Sequence, residues 1–366
     1  MKKIGIIGIV GNPSQRKTSH NAGWTYVYRS MLEQKYGTKV DILTHKDDWD
    51  LYDVLWINEG VNFRIGTWNL FGGVNDNLII RLNKLIAYSG ELHFWGDKAP
   101  KYNELIDSRK INLSWSEKTI CCHKNILNSN KLVFGDSHTI SVYQKGFNII
   151  RLDGQTLHGA LRDDLFSKYI PENIDTLRVY FGNIDIRHHI CRIYSTTQDR
   201  RASINYLIDQ LFYKLSYIDR NCDIEIVELL PIEHESRKLP KTGYYKGQPF
   251  YGDMHERQEC VDYFNYLLEE RCKEKGYKYL DWYYLTNTDL TSPIEPKQMF
   301  RFMEGTSSVH IAPHSYMFNE FIDGEREDLS GFIPKGQINK YKDQSWIDFP
   351  IQFDIENDGR EPFKDI

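Results

Sequence analysis

The chain has 366 residues, of which 40% are hydrophobic and 27% are charged; this composition excludes a disordered protein, and the length suggests two domains. The formal net charge of −5 and the sequence pI of about 6.2 exclude a protein whose whole surface binds nucleic acid, because phosphate binding needs a basic face. The six cysteines form no C-x-x-C pair, and no apolar run approaches the length of a membrane span. We therefore expect a cytoplasmic protein without a disulfide framework.

The first part of the chain alternates short apolar runs with segments of helical spacing. The run near the start is bounded by glycines and is typical of a buried parallel strand. Strands separated by helices form parallel, doubly wound sheets, so we expect such a sheet here. The predicted strands cover 4–10, 39–43, 54–57 and 92–95, and the predicted helices cover 21–35 and 75–88.

A second series of strands and helices follows a less regular stretch over 98–130, where we place the domain boundary. The fold class predicted is α/β, with two Rossmann-like or flavodoxin-like α/β/α domains whose sheets are mainly parallel. The domains are expected over 1–125 and 130–320, with 321–366 as an extension that packs on the surface. The strands of the second series are predicted over 131–134, 147–151, 176–181, 224–230 and 277–280, and its helices over 201–219 and 256–275.

Chemically capable residues follow the predicted strands of the second domain. Ser137 follows the first strand, Gly154 the second and Asn183 the third. Ligands bind beyond the carboxyl ends of strands in open α/β sheets, so we expect these residues to converge. A serine nucleophile needs a histidine to take its proton, and acyl transfer needs N–H donors for the oxyanion. Ser137 is therefore the candidate nucleophile, and the late His310 is the candidate base.

The order of these motifs resembles the SGNH (GDSL-like) hydrolase family over about residues 130 to 320. That family has a Gly-Asp-Ser block, a Gly block, a Gly-x-Asn-Asp block and a late Asp-x-x-His block. Here the blocks are matched by Gly135-Asp136-Ser137, by Gly154 (Gly159 is a weaker choice), by Gly182-Asn183-Ile184-Asp185 and by His310. The asparagine comes one position early, and Ser307 stands where the family has its aspartate. The resemblance implies a Ser137–His310 pair, with Gly154 and Asn183 as oxyanion donors.

A basic, histidine-rich stretch follows the Asn183 block. It contains Arg187, His188, His189 and Arg192. Positive charge at this place could bind an anionic group, so we add Arg187, together with Asp136, to the candidate substrate-binding residues. A metal is the other use of two histidines, but no third ligand lies at a suitable spacing. We therefore predict no metal site.

A second resemblance covers about residues 1 to 100. Apolar runs that end at Asn58, at Gly72-Gly73 and at Gly96-Asp97 are similar to the N-terminal domain of phage DNA β-glucosyltransferases. Those enzymes have a GT-B fold and place glucose on hydroxymethylcytosine in DNA. The resemblance implies Asp97 as catalytic base, a UDP-sugar as donor, DNA as partner and a phage or bacterial origin.

Three hypotheses about function follow. The leading one is an SGNH-type esterase or O-acyltransferase that needs no cofactor and acts on a small-molecule, carbohydrate or nucleotide hydroxyl in a bacterial or phage-infected cell. The second is a glycosyltransferase that modifies hydroxymethylated pyrimidines in DNA with Asp97 as base. The third is a non-catalytic binding protein on an SGNH scaffold, which Ser307 and the shifted Asn183 favour. The acyl or sugar donor, the acceptor and the oligomeric state stay open.

Overall fold

The computed structural model describes residues 2–8, 20–43, 46–58, 84–85, 87–95, 120–123, 125–152, 154–218, 222–230, 232 and 251–280. The chain divides into two compact units, and the division in mid-chain falls between Asn128 and Ser129. Among the described residues, each unit contains one five-stranded sheet whose paired strands are parallel. The predicted α/β fold class is therefore confirmed. In the part of the chain that is described, no helix has the length and apolarity needed to cross a membrane.

The sheet of the first unit has the order β2-β1-β3-β4-β5, which is the flavodoxin-like order. Its strands are β1 (Ile4–Gly8), β2 (Val40–Leu43), β3 (Val54–Asn58), β4 (Glu91–Trp95) and β5 (Ile120–His123). Helix α1 (His20–Tyr36) joins β1 to β2, and a short 3-10 helix covers Trp49–Leu51. Val27, Met31 and Leu32 of α1 are buried, as expected for one apolar face at helical spacing.

The sheet of the second unit has the order β7-β6-β8-β9-β10, the same flavodoxin-like arrangement. Its strands are β6 (Lys131–Gly135), β7 (Asn148–Arg151), β8 (Thr176–Tyr180), β9 (Asp223–Val227) and β10 (Lys278–Leu280). Four consecutive residues are buried in each of β6, β7, β8 and β9. Because successive side chains point to opposite faces of a strand, both faces of this sheet are covered.

The described part of the second unit contains α2 (Leu157–Arg162), α3 (Leu165–Tyr169), α4 (Thr197–Leu215) and α5 (Met254–Lys275), besides short helical turns. The two long helices, α4 and α5, begin at residues suited to capping. Thr196 caps α4 by accepting from the Asp199 N–H, and Asp253 forms a capping box with Glu256 at the start of α5. Gly276 ends α5 in the left-handed conformation, with φ of 71°.

Two predicted elements need correction. The stretch over 98–130 was expected to be irregular, but it contains β5; this strand has only four residues, and its Cys-Cys-His sequence lacks the apolar signal of a buried strand. The strand predicted over 224–230 ends at Val227, because the backbone of Leu229 and Leu230 bonds to side chains instead. Most of the helix predicted over 75–88 and the whole extension over 321–366 lie outside the described residues.

Candidate active site

The carboxyl end of β6 passes very close to β8. A Cβ atom on Gly135 would lie 2.1 Å from the carbonyl oxygen of Tyr180, which is far inside van der Waals contact. The Asp136 N–H donates to that same carbonyl over 3.2 Å. Glycine is therefore required at position 135 by a close backbone approach, and this approach sets where the chain turns after the strand.

Asp136 and His138 stabilise the turn that presents Ser137. Asp136 caps the 3-10 helix Ser137–Val142, since its Oδ1 accepts from the His138 N–H over 2.8 Å. The same oxygen lies 2.8 Å from His138 Nδ1, which is hydrogen-bond distance. Asp136 is 0%, His138 1% and Ser137 9% exposed. Ser137 is therefore the most accessible of three consecutive, tightly held side chains.

The aromatic ring of Tyr180 completes this packing. It stacks on the His138 imidazole with 5.4 Å between ring centroids, and its hydroxyl oxygen accepts from the Leu230 N–H over 3.0 Å. Burial raises the pKa of Tyr180 well above its usual range, and the charge of Asp136 adds to the rise. Tyr180 is thus a neutral buried phenol that links the ends of β6, β8 and β9.

Asn183 and Arg187 follow β8 and contact each other. The Asn183 amide donates from Nδ2 to the Leu230 carbonyl over 3.2 Å, and its Oδ1 accepts from the Arg187 guanidinium. Both side chains are buried. Gly182, before them, has φ of 120°, and a Cβ atom there would lie 2.6 Å from the ring of Phe264. The orientation of the Asn183 amide is therefore defined by two partners and by a preceding turn that needs glycine.

Asp185 is a buried acid that holds the start of α2. Its two carboxylate oxygens accept from the Leu157 and His158 N–H groups over 2.7 and 3.0 Å. Burial raises the pKa of Asp185 to about 7; these backbone bonds lower it, and the charge of Asp136 raises it. Asp136 and Asp185 therefore share one electrostatic environment beneath the strand ends.

The histidine-rich stretch lies in a helical segment with a π-bulge. This segment consists of Asn183–Asp185, five π-helical residues Ile186–Ile190, and Cys191–Ile193. Burial lowers the pKa of His189, and the charge of Arg192 lowers it further; Arg192 lies 2.9 Å from its Nδ1. Single-turn π-bulges are common at functional sites, and here the bulge lies directly after Asn183.

Gly154 and Gly159, the two glycines after β7 that match the Gly block of the motif, differ in their surroundings. Gly154 is exposed, has φ of 72°, and has no atom within 4 Å of where a Cβ would lie. Gly159 is buried in α2, and its N–H already donates to Thr156 Oγ1 over 2.9 Å. Gly154 is thus the better placed of the two to donate to a ligand.

The structure brings the strand ends of the sequence motif side by side. Gly135 pairs with Tyr180 of β8 on one side and with Arg151 of β7 on the other. Ser137 and Asn183 therefore follow neighbouring strands where the strand order reverses, which is where doubly wound sheets bind ligands. His310, Ser307 and Asp97 lie outside the described residues, so their predicted roles stay predictions.

Two residues that contribute to this site were missed by sequence reasoning: His138 and Tyr180. The Asp-x-His spacing at a helix start was a usable signal for His138, because a cap residue and the side chain two positions later are neighbours. Nothing in the sequence marked Tyr180 beyond its place at a strand end. Asp185 belongs to the matched third block, but its bonds to the start of α2 were not predicted.

Solved structures similar to this chain include several hydrolases. An extracellular lipase from Streptomyces rimosus is 13% identical, with a TM-score of 0.31 over 51% of this chain and 94% of that chain. A GDSL-like lipase from Bacteroides thetaiotaomicron is 14% identical, with a TM-score of 0.31 over 58% of this chain and 88% of that chain. A carbohydrate acetylesterase family member from Sinorhizobium meliloti is 13% identical, with a TM-score of 0.32 over 55% and 99%.

Identities and TM-scores this low assign no family to the chain. Comparisons with protein-family models and with curated proteins found no match. The resemblance of residues 1 to 100 to phage DNA β-glucosyltransferases stays a prediction.

Proposed function

We propose that this protein is a serine esterase or O-acyltransferase of the SGNH type, with Ser137 as nucleophile. The observation that supports this most is the position of Ser137. It is the first helical residue after β6, next to the buried Asp136–His138 pair, at the point where the strand order reverses and beside the segment that bears Asn183. A hydroxyl needs such a supported position beside N–H donors to act in acyl transfer.

The proposed reaction has two steps. Ser137 Oγ attacks the acyl carbonyl and gives its proton to His310, and the leaving alcohol takes that proton as its bond to the acyl carbon breaks. Water or an acceptor hydroxyl then attacks the acyl-enzyme, with His310 first as base and then as acid. The products are an acid or a new ester, and Ser137 is regenerated.

Asn183 and Gly154 would stabilise the oxyanion in both steps. One N–H of the Asn183 amide donates to Leu230, while Arg187 binds the amide oxygen; the second N–H is the proposed donor. The Gly154 backbone N–H is the other proposed donor. Since Asp136 and Arg187 are buried and bonded to neighbouring side chains, we assign both a positioning role.

The test is covalent labelling by a fluorophosphonate probe, followed by intact mass, together with hydrolysis of a short-chain p-nitrophenyl ester. We expect wild type to gain one probe and to turn over the ester. Ser137→Ala should lose the adduct and at least about 10³-fold in turnover.

Ser129→Ala is the matched control. Ser129 lies just before the same strand, and its hydroxyl donates to the Gly146 carbonyl over 2.6 Å, so its loss should leave labelling intact. An adduct that persists in Ser137→Ala would refute the assignment of the nucleophile. A folded wild-type protein that neither labels nor hydrolyses the ester would refute the proposed activity.

A further inference from the structure

Three side chains that ligate metals lie together in the first sheet. His93 is in β4, and Cys121 and His123 are in β5. His93 and Cys121 are paired in the parallel register, and Cys121 and His123, two positions apart, share a face of the sheet. The Sγ atom of Cys121 and one nitrogen of each imidazole all lie within 4.8 Å of one another.

The spacing of these atoms is close to that of a tetrahedral zinc site. His93 Nδ1 lies 2.8 Å from His123 Nε2. Zn–N bonds of about 2.0 Å and a Zn–S bond of about 2.3 Å place tetrahedral ligand atoms roughly 3.3 to 3.6 Å apart. Shifts of about 1 Å therefore convert the observed cluster into a zinc site.

The carboxylate of Glu91 lies on the side of His93 that faces away from the cluster. Its Oε2 lies 3.5 Å from His93 Nε2, while Nδ1 of the same ring faces His123. A carboxylate on the outer nitrogen is the usual partner of a metal-ligating histidine, because it fixes the ring and the tautomer. Glu91 also pairs with Lys2, so its carboxylate is itself held in place.

The aromatic ring of Trp56 supports both imidazoles. It stacks on His93 with 4.8 Å between centroids and lies 4.9 Å from His123. The indole N–H donates to the Tyr36 hydroxyl over 3.0 Å, which ties this face of the sheet to α1. The histidine rings are therefore positioned by packing before any ion binds.

The charges around the cluster have both signs. Lys2 and Lys35 are close enough to lower the pKa of His93, although burial is the larger cause of that decrease. Burial likewise lowers the pKa of His123, with smaller effects of His93 and Lys35. The two lysines oppose a cation, and the carboxylate of Glu91 offsets them.

We propose that His93 through Nδ1, His123 through Nε2 and Cys121 through Sγ bind one zinc ion, with a fourth position open to water. Two imidazoles and one thiolate are ligands that zinc prefers. The Cys121 thiol gives its proton to solvent when the Zn–S bond forms. Counting spacings along the sequence predicted no metal, since the fold alone brings His93 next to the β5 residues.

The test is titration of the chelator-treated full-length protein with Co²⁺, a spectroscopic substitute for zinc. We expect one equivalent of Co²⁺ to produce a thiolate-to-metal charge-transfer band and visible bands of tetrahedral cobalt, and Zn²⁺ to displace them. Cys121→Ser should abolish the charge-transfer band. Glu91→Gln should weaken Zn²⁺ binding by about 10- to 100-fold while keeping the band at saturating Co²⁺.

Cys222→Ser is the matched control, because Cys222 is a half-buried thiol of the second unit and should keep the full cobalt spectrum. Circular dichroism of each metal-free variant checks that it is folded. A folded wild type that shows no cobalt–thiolate band would overturn the proposal, as would a band that survives in Cys121→Ser. A band that stays equally strong in His93→Gln and His123→Gln would also overturn it.

Discussion

Among single residues, Asp185 combines a structural role with an unusual protonation. It is buried, accepts two backbone N–H groups and is faced by Asp136, and its pKa is raised to about 7, chiefly by burial. A carboxyl group in the unfolded chain titrates near 4. The folded state therefore holds a proton that the unfolded state releases between those two pH values.

This difference predicts that Asp185 makes the protein less stable as the pH rises. The stabilising contribution of Asp185 to the free energy of unfolding is full below pH about 4. It is lost as the pH rises to about 7, because folding takes up a proton in this interval. The measurement is the free energy of unfolding by urea at several pH values. The free energy of unfolding of wild type minus that of Asp185→Asn should fall by a few kcal/mol between those two pH values.

The control for this titration is Asp223→Asn, since Asp223 is exposed at the start of β9. Because this is a surface substitution, we expect the free energy of unfolding of this variant at pH 7 to lie within about 0.5 kcal/mol of the wild-type value. A constant difference between wild type and Asp185→Asn would show that Asp185 does not titrate in this range.

At the scale of secondary-structure elements, a buried ion pair joins β8 to β9. Arg178 and Glu225 are opposite each other in the register, with 2.7 Å between Nε and Oε2. The same guanidinium donates to the Val142 carbonyl and to Gln144 Oε1. A buried guanidinium with all these partners stabilises one register of the two strands, since a shift by one residue would separate the charges.

Removing Glu225 should therefore be costly. Glu225→Ala leaves the buried Arg178 without its counter-ion, and we expect it to lower the free energy of unfolding by about 3 to 5 kcal/mol. Glu259→Ala is the matched variant, because Glu259 pairs with Arg201 over 2.8 Å on the surface; we expect a loss below about 1 kcal/mol. Equal losses in urea unfolding would contradict the role given to burial.

The elements with strong apolar runs were predictable from sequence, and the rest depended on tertiary contacts. β6 was expected over 131–134 and covers Lys131–Gly135, and α5 begins within two residues of its predicted start. β5 was missed because its pairing with β4 compensates for a weak local signal. The π-bulge has no sequence signature, since it depends on packing around Ile186–Ile190.

Some features of the candidate site were likewise predictable from the sequence, and others were not. That Ser137 and Asn183 follow neighbouring strands was predictable, since strand ends meet at one edge of a parallel sheet. The bond between Asp136 and His138, the capping of α2 by Asp185 and the grouping of His93 with Cys121 depend on dihedral angles and on strand order. A sequence pattern contains neither.

At the scale of the whole molecule, acidic residues outnumber basic ones. The chain has 46 Lys and Arg residues against 51 Asp and Glu residues, and non-specific DNA binding depends on neutralising phosphates with positive charge. We expect unmodified duplex DNA to bind more weakly than a Kd of about 10⁻⁴ M at physiological salt. Fluorescence anisotropy of a labelled duplex measures this, and micromolar binding would favour the DNA-modifying hypothesis instead.

The close packing around Gly135 and Gly182 limits which residues can replace these glycines in related sequences. A side chain at 135 would strike the Tyr180 carbonyl, and one at 182 would strike the ring of Phe264. Mutation at these two positions therefore meets a steric barrier. Gly154 has open space around it, but its φ of 72° is one that residues with a side chain rarely adopt. Related sequences should therefore keep glycine at the two crowded turns and diverge more at exposed positions that glycine does not occupy. New substrate preferences would then arise around an unchanged nucleophile.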